Sequence, residues 1–312
     1  MTAEPSLFAI PQAIEKGGRF IKPNWAAVYD WVDANVPVDQ LNETWTLLAG
    51  QWLNALRETL GEGYSIAESD EFMLVGRTDA RLTNRILSSS EHARRTILKT
   101  LPDVAKDEGY GKHVVLAFSD MESYYDYISD FYSDEGEFGL SCGVFLDEGY
   151  GHFAICLAYG DDYERTIAHE LNHNLLRHLP LPLWLNEGVT QVMEDMVLGG
   201  SYFRTDHEIV RRHRAYWNPK TIDTFWSGES FFSPDDGQEL SYHLSQVLFR
   251  NLMSDFPRQV SPLLNTAQYV DAGEAAMKQL CNVSLGDRVA QFLGPGKWKP
   301  AQTYSVSDDS VP

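Results

Sequence analysis

The sequence predicts an α+β fold: a helical prefix, then a mixed unit of strands and helices, then a helical remainder. Three observations point there. Apolar residues recur at helical spacing over the first sixty positions. Between Tyr64 and Tyr159 the pattern changes to short apolar or alternating runs bounded by turn residues. Beyond Pro182 the helical spacing returns.

Val28, Trp31, Val32 and Val36 share one helical stripe, and Leu41, Trp45, Leu48, Trp52, Leu56 and Leu60 share another. Pro37 separates the two helices, and Gly61-Glu62-Gly63 ends the second. The tryptophans read as core. Residues 64–67 and 72–75 are short strands, with Gly76 closing the second. A long helix over 78–101 stops at Pro102. The apolar strand 113–118 follows, and Ser119 is placed as the N-cap of a helix running through Tyr132. Strands 139–146 and 152–159 flank the turn-rich stretch 147–151. A helix over 161–178 then ends before Pro180 and Pro182. Further helices are expected over 183–198, 206–216, 239–254, 257–264, 272–280 and 285–292. The polar stretch after Gly296 is expected to fray. These runs divide the chain into an N-terminal helical extension (1–62), an α/β unit (63–179), a C-terminal helical unit (180–296) and a flexible tail (297–312).

The 312 residues include 45 acidic and 25 basic ones, a formal charge of -20. Such a surface repels phosphate backbones and anionic bilayers, so neither nucleic acid nor a membrane is the expected partner. Cys142, Cys156 and Cys281 are odd in number and widely spaced, with no Cys-x-x-Cys pair. That argues against a disulfide framework or a cysteine zinc knuckle, and Cys142 and Cys156, in apolar alternating runs, read as buried free thiols. No signal-peptide pattern opens the chain, and no apolar run reaches the ~18 residues a bilayer span requires. A cytoplasmic protein is the expectation.

Helix 161–178 holds His169-Glu170-Leu171-Asn172-His173. Histidines four apart lie on one helix face, one turn above the other, where both imidazoles can reach a single zinc ion. Glu170 is rotated about 100° from His169, so it can miss the metal and still reach a water on it. A zinc hydrolase requires this division of labour, in which the metal acidifies water and a carboxylate takes its proton. Ile167, Ala168, Leu171, Leu175 and Leu176 give the helix an apolar side, which makes it central to the fold.

A hydrolytic zinc needs a third protein ligand and one open position. A metzincin would place Gly and His three and six residues after His173, where Leu176 and Leu179 stand. His178 lies five residues beyond, about 500° around the helix, and points elsewhere. Glu187, in Leu183-Trp184-Leu185-Asn186-Glu187-Gly188, opens the next helix and is the preferred third ligand. A carboxylate that merely favours a helix N-terminus is the alternative. Glu194 and Asp195 lie two turns further along, supporting the site or solvated.

His-Glu-Leu-Asn-His followed by Trp-Leu-Asn-Glu-Gly resembles the gluzincin metallopeptidases. The Trp-Leu-Asn-Glu-Gly run is similar to that of aminopeptidase N-like enzymes. The Glu stands nearer the second histidine than in those aminopeptidases, and their Gly-x-Met-Glu-Asn segment is missing. The shorter spacing looks more like the bacterial peptidase MA-like family. That likeness runs from about Tyr64 to Phe292 and leaves the first sixty residues uncovered. It implies a zincin-like fold, with the active-site cleft between the α/β and helical units, and a Zn2+ cofactor. It implies hydrolysis of a peptide or protein substrate with Glu170 as general base. It also implies that Tyr242, opening Tyr242-His243-Leu244-Ser245, stabilises the oxyanion, with His243 and Tyr202 as competitors. The family often has an acidic residue four positions after the ligand Glu; this chain has Gln191. The strand before the metal helix, 152–159, is by the same likeness the sheet edge, open to an extended peptide.

His92, His113, His152, His207 and His213 have no partner at metal spacing. His207 and His213 sit among Arg204, Arg211, Arg212 and Arg214, a basic cluster expected to pair with the chain's own carboxylates. A zinc-dependent peptidase is the leading expectation. A non-catalytic zinc-stabilised binding protein is the alternative.

Overall fold

The computed structural model describes residues 5–14, 18–131, 142–158, 160, 162–201, 205–301 and 303–304. The fold is α+β, a five-stranded mixed sheet among helices. The helices α1 (Trp25–Asn35) and α2 (Leu41–Leu60) precede strands β1 (Ser65–Glu68) and β2 (Phe72–Gly76). Next come α3 (Ala80–Thr100), β3 (His113–Phe118), α4 (Met121–Ile128), β4 (Gly143–Leu146), β5 (His152–Cys156) and α5 (Tyr163–Leu176). The remainder is α6 (Leu183–Leu198), α7 (His207–Tyr216), α8 (Thr221–Ser227), α9 (Asp236–Asp255), α10 (Val260–Thr266), α11 (Glu274–Cys281) and α12 (Leu285–Leu293). No helix among the described residues is long and apolar enough to cross a membrane. The chain divides into two compact units, Met1–Arg95 with Asp107–Asn174, and Thr96–Lys106 with Leu175–Pro312.

In the first unit the strand order is β1-β2-β3-β5-β4. The inner pairs β2–β3 and β3–β5 are parallel, and the outer pairs β1–β2 and β4–β5 are antiparallel. Parallel neighbours need a long crossover, which α3 supplies between β2 and β3. Met73, Val75, Val114, Leu116, Phe118, Ala154 and Cys156 line one sheet face and share a core with Val28, Val32, Trp45, Leu48 and Trp52 of the N-terminal helices. The first sixty residues are therefore part of this core. On the other face the rings of Phe145 and Phe153 meet at 4.9 Å, and those of Phe72 and His113 at 5.0 Å.

Two expectations are corrected here. The N-cap of α4 is Asp120, whose carboxylate accepts the Ser123 N–H at 2.8 Å. A charged acceptor also suits the positive end of the helix dipole better than the Ser119 hydroxyl, which turns to Asp120 instead. The strand at 152–156 is internal, and β4 takes the edge. Every residue of β5 is buried, whereas β4 contains Gly143 and the half-buried Val144 and Phe145. The less buried strand of the hairpin takes the edge. Residues 139–141, 159 and 161, included in the expected elements, lie outside the described set, as does the end of the helix expected to reach Tyr132.

In the second unit, helix α6 packs along α9. Gly188 allows this: a Cβ there would lie 2.8 Å from the Ser245 carbonyl and 3.1 Å from the Phe249 Cβ. Helix α8 has no counterpart in the expected elements, because its seven residues are too few to show a period. The stretch after Gly296, expected to fray, is anchored as far as Tyr304. The Tyr304 hydroxyl donates to Asp223 at 2.8 Å, and the Trp298 carbonyl accepts from Trp226 Nε1.

Candidate metal site

Helix α5 buries Tyr163, Ile167, Ala168, Leu171, Leu175 and Leu176, the four-residue apolar repeat that seats it. His169, Glu170 and His173 sit beside that stripe, half-buried. The helix sets the two imidazoles with Nε2 facing Nε2 at 3.0 Å. Helix α6 begins at Leu183, with Trp184 as its buried anchor: the indole N–H donates to the Ala272 carbonyl at 2.9 Å, and the ring packs edge-on to Trp226. One turn on, Glu187 is a buried acid, 5% exposed. Ligand atoms of His169, His173 and Glu187 all lie within 4.8 Å of one another. Among the described residues this is the one group of three or more His, Cys, Asp or Glu side chains so placed. Two imidazoles and a carboxylate form the donor set of a divalent transition metal, and zinc takes such ligands at ~2.0–2.2 Å.

Glu170 stands outside that group, as its position on the helix requires. Its Oε2 accepts the main-chain N–H of Phe145, on edge strand β4, at 3.0 Å. The periodicity of the sequence does not show this contact, because any residue at 145 except proline supplies the same N–H. His178 lies past the end of α5 and outside the group.

Gln191 is 4% exposed, and its Nε2 donates to the main-chain carbonyls of Tyr242 at 3.0 Å and Glu187 at 3.3 Å. An acidic residue has no proton to donate to either carbonyl, which accounts for an amide where the resemblance expects an acid. Gln191 thereby ties α9 to α6 at the level of Glu187. Tyr242 lies on α9, half-buried, its ring 5.3 Å from Phe231. Tyr202 lies outside the described residues. Asp195, expected to be solvated or supporting, is buried and held by Arg250 and by Gln246 at 2.8 Å. Glu194 is buried too.

The other histidines resolve in different ways. His152 is buried between the Tyr127 hydroxyl and the Tyr150 carbonyl, each at 2.8 Å. Burial pushes its pKa down to about 4, against the pull of that carbonyl. His113 pairs with Asp107 at 2.9 Å. His213, without a partner at metal spacing in the sequence, meets His243 with Nε2 and Nδ1 2.7 Å apart. Indole Nε1 can only donate, so Trp217 fixes the proton pattern by donating to His213 Nδ1 at 2.8 Å. His213 Nε2 then donates to His243 Nδ1, and His243 Nε2 faces the Thr205 hydroxyl at 3.4 Å. Burial lowers His213 to about 3, helped by His243 and Arg212. Burial also lowers His243 to about 4, with Arg250 and Arg212 adding to it and Glu239 opposing. Both of its nitrogens are engaged, so His243 is a poor oxyanion donor. In the basic cluster Arg211 pairs with Glu208 at 2.7 Å, and Arg212 with Glu239 at 2.6 Å and Asp236 at 3.2 Å. Arg204 lies outside the described residues. All three cysteines are free thiols; Cys156 is buried as expected, whereas Cys142, just before the edge strand, is only half-buried.

Compared with models of known protein families the chain matches none, and no curated protein matches it.

Proposed function

We propose that this chain is a zinc-dependent peptidase of gluzincin type, zincin-like in fold and acting on peptides or proteins in the cytoplasm. The observation that carries the reading is the grouping of His169, His173 and Glu187 within 4.8 Å, with Glu170 beside but not in it. These three side chains would hold the metal. Zinc, when bound, supplies acidified water and a Lewis acid for the peptide carbonyl. Glu170 accepts the proton of the attacking water and passes it to the leaving amine. Tyr242 donates its hydroxyl proton to the developing oxyanion.

The test is a Glu170→Gln variant assayed beside the wild type on unfolded casein and a mixed peptide library. Elemental analysis follows in both proteins. The expected outcome is one zinc per chain in each and hydrolysis lowered roughly 10²–10⁴-fold in the variant. Equal hydrolysis in the two proteins would remove Glu170 from the mechanism. Stoichiometric zinc with no hydrolysis by the wild type would leave a zinc-stabilised binding protein.

A further inference from the structure

We infer that the main-chain N–H of Phe145, on edge strand β4, is the positioning group for Glu170. The inference rests on the peptidase reading and extends it from the base to what holds the base. Edge strand β4 pairs with β5 through Gly143–Ile155, Val144–Ala154 and Phe145–Phe153, and the Cys156 N–H donates to the Cys142 carbonyl at 2.8 Å just before them. In an antiparallel ladder, bonded and non-bonded positions alternate. Counting from Cys142, the bonded positions are Val144 and Leu146. Gly143 and Phe145 turn their N–H and C=O groups away from β5. An outward amide on an edge strand ordinarily meets water. The Phe145 amide meets the Glu170 carboxylate, a charge-assisted contact of 3.0 Å.

The contact depends on a close approach that the sequence permits at one place. A Cβ on Gly143 would lie 2.2 Å from the Thr166 Cγ2, so a side chain there would force the Thr166 side chain or the strand to shift. Thr166 and Glu170 are four residues apart on the helix, a rise of about 6.0 Å. Gly143 and Phe145 are two apart on the strand, about 6.8 Å. The two spacings match closely enough for strand and helix to run side by side over one turn. Gly143 sets the approach, and Phe145 takes the carboxylate. A glutamate has three side-chain torsions to order before it can act on a fixed water. Holding Oε2 from outside the helix removes most of that freedom.

Two measurements test this on the full chain, zinc-loaded and zinc-stripped. Amide exchange of Phe145 is compared between the wild type and Glu170→Ala, with Val144 as the internal reference. The expected result is at least a 10-fold faster exchange of Phe145 in the variant and no change at Val144. The second measurement is Phe145→Pro, which deletes this N–H at a position of the edge strand whose N–H does not bond to β5, where proline is tolerated. On the casein and peptide substrates, kcat is expected to fall 10- to 100-fold while KM and zinc content hold. A purely structural role would instead shift KM or zinc content, and would lower kcat as far in Phe145→Ala, which loses the same ring packing but keeps the N–H. Unchanged Phe145 exchange in an active enzyme overturns the positioning role alone. Glu170-dependent protection in a protein that hydrolyses nothing overturns the peptidase reading, and the catalytic purpose of the contact with it.

Discussion

Two histidine pairs in this chain show the same contact and opposite chemistry. His169 and His173 face each other at 3.0 Å, half-buried, with the carboxylate of Glu187 close to both. His213 and His243 face each other at 2.7 Å, fully buried, with Trp217 on one side and Thr205 on the other. The second pair is a closed hydrogen-bonded chain in which each ring nitrogen has a protein partner. Metal binding there would cost those bonds, and among the described residues no carboxylate completes a set of three. In the first pair two nitrogens converge beside an acid, and on the proposed reading one cation would satisfy all three at once. Proximity of two imidazoles is therefore not the signal for a metal. What surrounds them is.

The contrast breaks most directly by deleting one histidine from each pair. His169→Ala is expected to weaken zinc binding by at least ~10²-fold, read by elemental analysis after dialysis. His213→Ala is expected to keep zinc and lose about 2–4 kcal/mol of stability in urea, since a buried ring goes and Trp217 and His243 lose a partner. Zinc lost from the His213 variant would show that the second pair takes part in metal binding.

A pH series sharpens the contrast further. His213, His243 and His152 are neutral when folded, their pKa values lowered to about 3, 4 and 4, while an unfolded histidine titrates near 6.5. The unfolded chain thus takes up protons first as pH falls. Their stabilisation is full above about pH 6.5, erodes from there downward, and is spent for His152 and His243 below about 4 and for His213 below about 3. For His152 alone the window is worth about 3 kcal/mol, at ~1.4 kcal/mol per pH unit. Urea midpoints should be flat from pH 7 to 8 and fall steadily from 6 to 4. His152→Gln should flatten that slope.

The smallest expected effect separates two neighbours on α9. Tyr242→Phe should lower kcat about 10-fold or more with zinc retained, as loss of an oxyanion donor does. His243→Gln should leave kcat alone and lower the melting temperature. Should the two variants exchange these phenotypes, the oxyanion donor is His243.

Much of the candidate site is legible in the sequence because helical geometry is local. Four residues separate His169 and His173, so any helix over them puts both rings on one face. The prolines after that helix and the run from Trp184 to Gly188 place Glu187 in the first turns of the next. Limits of α2, β3 and α6 follow from the same short-range logic of apolar period and breakers. Gln191 stands out in the sequence as a departure, but its purpose does not, since that depends on two main-chain carbonyls on two different helices.

What the sequence determined by itself, then, is the α+β class, the helices that bear the motif, and the identity of the three grouped side chains. The tertiary structure decided that β4 and not β5 forms the sheet edge, and that His213, thirty residues before His243, closes against it. It also decided that Phe145 holds Glu170. The physical reason is common to all three. Strand order and long-range pairing are settled by which surfaces pack best, and main-chain N–H and C=O groups are the same at nearly every residue. A pattern of side chains records the local period; it does not record which amide a carboxylate will meet.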